Sequence, residues 1–142
     1  MENSRAGRQR PSTSGSSAGQ ILILIVDDEK PIADLVAVAV AQAGYTVEFA
    51  YDGRQALEKA REQWPALVIS DLMMPFMDGV AFIAALRQEA STLGRQTPPI
   101  VLMTAAARGR AEAVGADAVL SKPFELDELE STIQQLLPAP SG

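Results

Sequence analysis

Ile21-Leu22-Ile23-Leu24-Ile25-Val26-Asp27-Asp28-Glu29 drives an unbroken aliphatic run directly into three acids. A run this short, rich in Ile, Leu and Val and stopped by polar residues, reads as a strand buried on both faces of a parallel sheet. The pattern returns further on. Ala66 to Ser70 ends in Asp71, Ile100 to Met103 ends in Thr104, and Ala118 to Ser121 ends in Lys122. Parallel sheets bind ligands just outside the carboxyl ends of their strands. Residues from four distant stretches are therefore expected on one rim, where carboxylates, a hydroxyl and an ammonium would suit a divalent cation and a phosphoryl group.

The segments between these runs read as helices. After the first strand, Pro31 fits a first helical turn, Ile32, Leu35, Val36, Ala39 and Val40 form an apolar face, and Gly44 ends it. Tyr45 to Ala50 alternates as a second strand, and Asp52-Gly53 turns into a helix bearing Ala56, Leu57 and Ala60 that stops before Trp64-Pro65. A loop with Pro75 and Gly79 leads to a helix with Val80, Phe82, Ile83 and Leu86. The stretch from about Ala107 to Val114 is helical at best. Glu125 to Leu137 is a final amphipathic helix with Leu126, Leu129, Ile133, Leu136 and Leu137 on one side. Five βα units in a row, with right-handed crossovers, predict a doubly wound α/β fold with helices on both faces of a five-stranded parallel sheet. Phe82, Trp64 and Phe124 read as packing residues, and Met73, Met74 and Met77 as loop and core filler.

Composition narrows the chemistry. The 142 residues, 47% hydrophobic, suit one globular domain with a core of its own. With no Cys and no His, disulfides, thiolate metal sites, zinc hydrolysis and His-dependent triads are excluded. Residues 1–20 are rich in Ser, Gly and Arg, lack apolar periodicity and read as a disordered tail; 138–142 read as a short second tail, leaving 21–137 as the domain. Beyond that first tail stand nine basic and seventeen acidic residues. A domain so acidic is not expected to bind DNA, and no run is long enough for a signal sequence or membrane span, so a cytoplasmic protein is expected.

Mg²⁺ takes oxygen ligands in octahedral geometry, usually one or two carboxylates with water and substrate phosphate. Asp27, Asp28 and Asp71 meet that need; without a cation they repel one another, with Lys122 alone placed to offset them. Asp27 or Asp28 could instead cap the first helix, but a cap needs one acid only. A carboxylate can also attack a phosphoryl group to form an acyl phosphate, whose oxygens then need fixed positive charge and donors such as Lys122 and Thr104.

These pieces resemble the receiver domains of two-component response regulators, including the stand-alone chemotaxis type, in Val26-Asp27-Asp28-Glu29, Asp71-Leu72-Met73-Met74-Pro75 with Asp78-Gly79, Thr104-Ala105, Gly115-Ala116-Asp117 and Lys122-Pro123-Phe124. Their order and strand-end placement span Ile21 to Leu137. The resemblance implies a flavodoxin-like receiver fold with strand order 2-1-3-4-5. It implies that Asp71 is the phosphoacceptor, served by a phosphohistidine on a partner kinase or histidine phosphotransfer protein. Asp28, Asp71 and the Met73 backbone carbonyl are then direct Mg²⁺ ligands, and Asp27 reaches the ion mostly through water. Thr104 is implied as the switch hydroxyl, Lys122 as the ammonium that pairs with the phosphoryl group, and Ala105 as a small residue that leaves access open. The bond before Pro123 is implied to be cis. The missing His fits, because the donor histidine belongs to the partner. No external substrate is turned over beyond the chain's own phosphorylation and dephosphorylation, and the output is an interaction with a downstream protein, as a monomer or a phosphorylation-dependent dimer.

Three departures stand against this pattern. Val119 occupies a position where many receivers carry a Tyr or Phe that swings between poses, which a β-branched side chain cannot do. Thr104 to Lys122 is about one helical turn shorter than usual, so the fourth helix of the family is expected to be stunted. Met73 and Ala106 are nonpolar where the family tunes access of hydrolytic water. A constitutive interaction module is therefore an alternative. An Asp-nucleophile phosphatase is another, though it would need a second acid two residues after Asp71, and Met73 stands there.

Overall fold

The computed structural model describes residues 21–105 and 115–137. The tails and the segment from about Ala107 to Val114, with Ala106, lie outside the described residues. Five parallel strands, β1 (Leu22–Val26), β2 (Thr46–Ala50), β3 (Leu67–Asp71), β4 (Ile100–Thr104) and β5 (Ala118–Ser121), form one sheet in the order β2-β1-β3-β4-β5. The described helices are α1 (Lys30–Gln42), α2 (Gly53–Glu62), α3 (Gly79–Leu93) and α4 (Leu126–Leu136). The doubly wound topology is the one the aliphatic runs predicted.

Both faces of the sheet are covered, which is why its central strands are apolar throughout rather than alternating. One face of the strands presents Leu24, Val26, Val68 and Leu102 to Ala56, Leu57 and Ala60 of α2 and to Phe82, Ile83 and Leu86 of α3. The other presents Ile23, Ile25, Leu67, Ile69, Val101 and Met103 to Ala33, Val36 and Val40 of α1 and to Leu129 and Ile133 of α4. Trp64 packs on the first cluster and Phe124 on the second.

Local signals end the helices where their chemistry requires. Asp52 and Asp78 cap α2 and α3, accepting from the Gln55 and Ala81 amides at 2.9 Å, which satisfies backbone donors that have no partner inside the helix. Pro31 lies in the first turn of α1, and Gly44 follows its end with φ +100°. Asp117, on the turn into β5, is tied to the start of β4: its Oδ2 accepts from the Ile100 amide at 2.7 Å while its own amide donates to the Ile100 carbonyl at 2.9 Å.

Two details differ from the sequence reading. Leu35 was expected on the buried face of α1 but is 54% exposed, and Ala33 is buried in its place. Ala and Val occur nearly all round α1, so its apolar pattern has little contrast, and the small Ala33 lets the helix approach the sheet closely. Leu126 likewise lies at the edge of α4, 36% exposed, while Leu129 and Ile133 carry its burial. Strand boundaries shift by one residue: Asp71 and Thr104, expected just after their strands, are the last residues of β3 and β4.

Candidate functional site

The register of the sheet assembles the site. Val26 is level with Ser70 across β1 and β3, so the residues that follow, Asp27 and Asp71, emerge side by side. Thr104 is level with Ser121 across β4 and β5, which brings Lys122 out one position beyond the hydroxyl. Carboxylate oxygens of Asp27, Asp28 and Asp71 all lie within 4.8 Å of one another, Asp27 and Asp71 buried and Asp28 exposed. Thr104 is buried at 2% exposure.

Lys122 closes the group from the far side. Its Nζ stands 3.4 Å from Oδ2 of Asp27 and 3.4 Å from Oδ2 of Asp71. The Lys122–Pro123 bond is cis, as the resemblance implied. The other oxygen of Asp27 accepts from the Glu29 amide at 2.9 Å, which fixes that carboxylate in place. Asp27 therefore serves the rim rather than the first turn of α1, whose N-cap residue is Glu29 with no side-chain cap.

Burial dominates the electrostatics. It pushes the carboxyls of Asp27 and Asp71 above the ordinary carboxylate range, and neither the Lys122 charge nor the amides of Glu29 and Met73 that bond to them bring them back down. Burial acts in the opposite sense on the Lys122 ammonium, but the charges of Asp27 and Asp71 outweigh it and raise that group as well. Two buried acids and one ammonium leave a surplus of negative charge. This is the state a divalent cation would relieve, and the oxygen-only donor set is of the type Mg²⁺ selects.

The mouth of the site is a cleft of about 290 Å³ lined by Asp28, Glu29, Asp71, Met73, Ala105 and Lys122. Ala105 adds little bulk there. Beside it, sharing Ala105 and Lys122, lies an apolar groove of about 370 Å³ formed by Ile32, Leu35, Val36, Pro123 and Phe124. A roomier cleft of about 500 Å³ between Tyr51, Asp52, Arg54, Gln55 and Glu58 has none of the three rim carboxylates in its lining.

All the described side chains expected at the site are thus brought together. One expectation needs adjustment and one residue is new. Of the three methionines read as filler, Met74 and Met77 pack on the core, whereas Met73 is 61% exposed at the mouth. No second acid stands at that position for a phosphatase. Val119 is half-buried against the core on the α2–α3 face of the sheet. Glu29 went unassigned in the sequence; its Oε1 lies 3.6 Å from Lys122 Nζ, a third carboxylate on the same ammonium. The run of Asp27-Asp28-Glu29 was the available signal.

Comparison with known proteins agrees with this fold. The model of the response regulator receiver domain matches residues 23–134. Response regulator Rre1 of Synechocystis is 38% identical over 125 residues, covering 84% of this chain and 53% of the relative. Transcriptional regulatory protein TctD of Salmonella typhimurium is 35% identical over 124 residues, with the same coverage of 84% and 53%. The chain thus spans about half the length of the curated relatives it matches. Among solved structures, the Vibrio cholerae chemotaxis protein CheY4 superposes with a TM-score of 0.74 at 37% identity, covering 83% of this chain and 99% of that one. Response regulator TrrA of Thermotoga maritima, solved in complex with Mg²⁺ and BeF, superposes with a TM-score of 0.72 at 31% identity over 83% of this chain and all of that one.

Proposed function

The chain belongs to the response regulator receiver domain family, and on that premise we propose that it accepts a phosphoryl group on Asp71 and signals through an interaction that depends on the modification. The observation that carries this reading is the ammonium of Lys122 held 3.4 Å from Oδ2 of Asp71 and 3.4 Å from Oδ2 of Asp27, the two buried acids of the rim. The donor is a phosphohistidine on a histidine kinase or phosphotransfer protein. One oxygen of the Asp71 carboxylate bonds to phosphorus as the phosphorus–nitrogen bond breaks, and the electron pair remains on the imidazole nitrogen of the donor.

Mg²⁺, held by Asp28, Asp71 and the Met73 carbonyl, with Asp27 reaching it through water, would neutralise charge on the transferring group. The chain's own residues supply the rest. Lys122 pairs with a phosphoryl oxygen, the Thr104 hydroxyl donates to another, and the exposed apolar groove of Ile32, Leu35 and Phe124 gives the donor protein somewhere to rest beside the mouth. The chain turns over no external substrate in this reading, and it works in the cytoplasm, where ATP charges the donor histidine.

Incubation with acetyl phosphate and Mg²⁺ tests the proposal. One phosphoryl group is expected, mapped to Asp71 and absent from Asp71→Asn. Phosphate elsewhere, or none, overturns it. A second reading, a module that binds its partner regardless of phosphorylation, draws support from Val119, which packs against the core where a mobile ring would otherwise swing. Equal partner affinity with and without beryllofluoride would favour that alternative.

A further inference from the structure

Gly79, the first residue of α3, lies close against the backbone of the acceptor. A Cβ built there would lie 2.6 Å from the Asp71 carbonyl oxygen, 3.0 Å from Leu72 Cα and 3.3 Å from the Leu72 carbonyl oxygen. Its φ lies outside the left-handed region, so the requirement is for space and not for a special conformation. The three atoms belong to the backbone and cannot rotate aside.

The same peptide is held from its other sides. The Ser70 hydroxyl, wholly buried, donates to the Asp71 carbonyl at 2.9 Å. The Leu72 amide donates to the Met103 carbonyl of β4 at 2.9 Å, and the Leu72 carbonyl accepts from the Gly79 amide at 2.8 Å. Leu72, 1% exposed, joins Asp71 to Met73. The whole link between the acceptor and Met73, which lines the cleft, is therefore pinned to β4, to α3 and to the Ser70 side chain.

We infer that Gly79 and Ser70 are positioning residues for the acceptor site: they clamp the Asp71–Leu72 peptide, and through it fix both the Asp71 carboxylate and the Met73 carbonyl that would hold Mg²⁺. The inference rests on the proposed phosphoacceptor reading and extends it to residues that touch neither the cation nor the phosphoryl group. An alanine at position 79 forces the Asp71 carbonyl and the start of α3 apart by at least 0.4 Å, the gap between 2.6 Å and the 3.0 Å under which real Cβ contacts essentially never fall. Loss of the Ser70 hydroxyl removes one wall of the clamp and leaves that carbonyl without its side-chain donor.

The test uses the full chain with Gly79→Ala, Ser70→Ala and, as a matched control, Ala84→Gly. Ala84 is exposed on α3, so its replacement weakens the helix without approaching Asp71. Mg²⁺ affinity, backbone amide shifts of Leu72 and Met73 in the metal-free protein, melting temperature and phosphorylation by acetyl phosphate are measured for each. Gly79→Ala is expected to weaken Mg²⁺ binding roughly tenfold, the scale on which supporting groups act on metal sites. It should also displace the two amide signals and slow phosphorylation at limiting Mg²⁺. Ser70→Ala moves the same readouts in the same direction by less, and Ala84→Gly lowers melting temperature alone. Wild-type Mg²⁺ affinity and amide shifts in Gly79→Ala overturn the inference while leaving the acceptor reading in place if the parent protein is phosphorylated at Asp71. If Gly79→Ala does not fold, Ser70→Ala decides by the same criteria. Failure of the parent protein to bind Mg²⁺ and take up phosphate overturns both.

Discussion

The Lys122 ammonium lies 3.4 Å from Oδ2 of Asp71, and the lysine side chain that carries it is only 15% exposed. One cation thus offsets two buried acids, because Asp27 contacts the same nitrogen at the same distance. Replacement by methionine keeps the length of the stem but leaves Asp27 and Asp71 facing each other in a poorly solvated site. Breaking a fully buried pair costs 3–5 kcal/mol; since the lysine retains some solvent and the acids can take up protons, about 1–2 kcal/mol is expected for Lys122→Met. Urea denaturation in EDTA measures this loss, and Mg²⁺ should recover part of it by replacing the missing positive charge. An equal loss with and without Mg²⁺ would show that the charge imbalance is not its source.

Protons should act on the metal-free site in the opposite sense to most native carboxylates. Burial raises both Asp27 and Asp71 above their unfolded value of 3.8, so the folded protein binds protons more tightly than the unfolded chain. Stability contributed by this pair therefore increases as pH falls from neutral through the raised values and levels off below 3.8. The raised Lys122 works at the alkaline end: its contribution is present below its unfolded value of 10.5 and is lost as pH rises through the folded one. Metal-free wild type should accordingly gain stability relative to Asp71→Asn as pH is lowered from 7 toward about 4. With saturating Mg²⁺ the trend reverses, since protons then compete with the ion for the same oxygens. Chemical denaturation of both proteins across that range, in EDTA and in Mg²⁺, gives the comparison.

The sheet was legible because its strands carry their burial in their composition: a run such as Ile21 to Val26 has no reason to be continuous unless both faces are covered. The convergence of Asp27, Asp71 and Lys122 followed from placing each at a strand end, since parallel strands share one carboxyl edge. Packing of small residues was less visible. Leu35 looks like a core residue beside Val36, yet the close approach of α1 at Ala33 turns it outward. The roles of Ser70, Gly79 and Asp117 depend on distances to backbone atoms of other segments, and no pattern along the chain encodes a carbonyl 2.6 Å from an absent Cβ. Glu29 was signalled as a partner of Lys122 only by its place in the acidic run Asp27-Asp28-Glu29.

Asp117 should prove structural. Its carboxylate accepts from the amide of Ile100, a residue 1% exposed at the start of β4. Asp117→Ala leaves that buried donor unmet and is expected to cost about 1–3 kcal/mol. Asp117→Asn keeps an acceptor oxygen in the same place and should recover most of the loss. Because the contact lies at the amino end of β4, far along the strand from Thr104, Mg²⁺ affinity should be unchanged in both variants. Denaturation and an Mg²⁺ titration separate the two effects.

Leu35 offers a way to distinguish two phosphodonors by size. It is 54% exposed in the groove that shares Lys122 and Ala105 with the mouth of the site, and Val38 on the same helix is 53% exposed. A protein donor that presents a phosphohistidine to Asp71 must cover the surroundings of the cleft, and an apolar groove at its margin is where contact would remove most apolar surface from water. Acetyl phosphate is too small to reach it. Leu35→Glu adds charge to an exposed position and should leave stability within about 0.5 kcal/mol of the parent. Phosphotransfer from a phosphorylated histidine protein that serves the wild type should then slow by about tenfold or more, the effect of losing about 1.4 kcal/mol of contact, while labelling by acetyl phosphate proceeds at the parent rate. Equal slowing with both donors would place the effect of Leu35 on the rim chemistry itself, and no slowing with either would remove the groove from the docking surface.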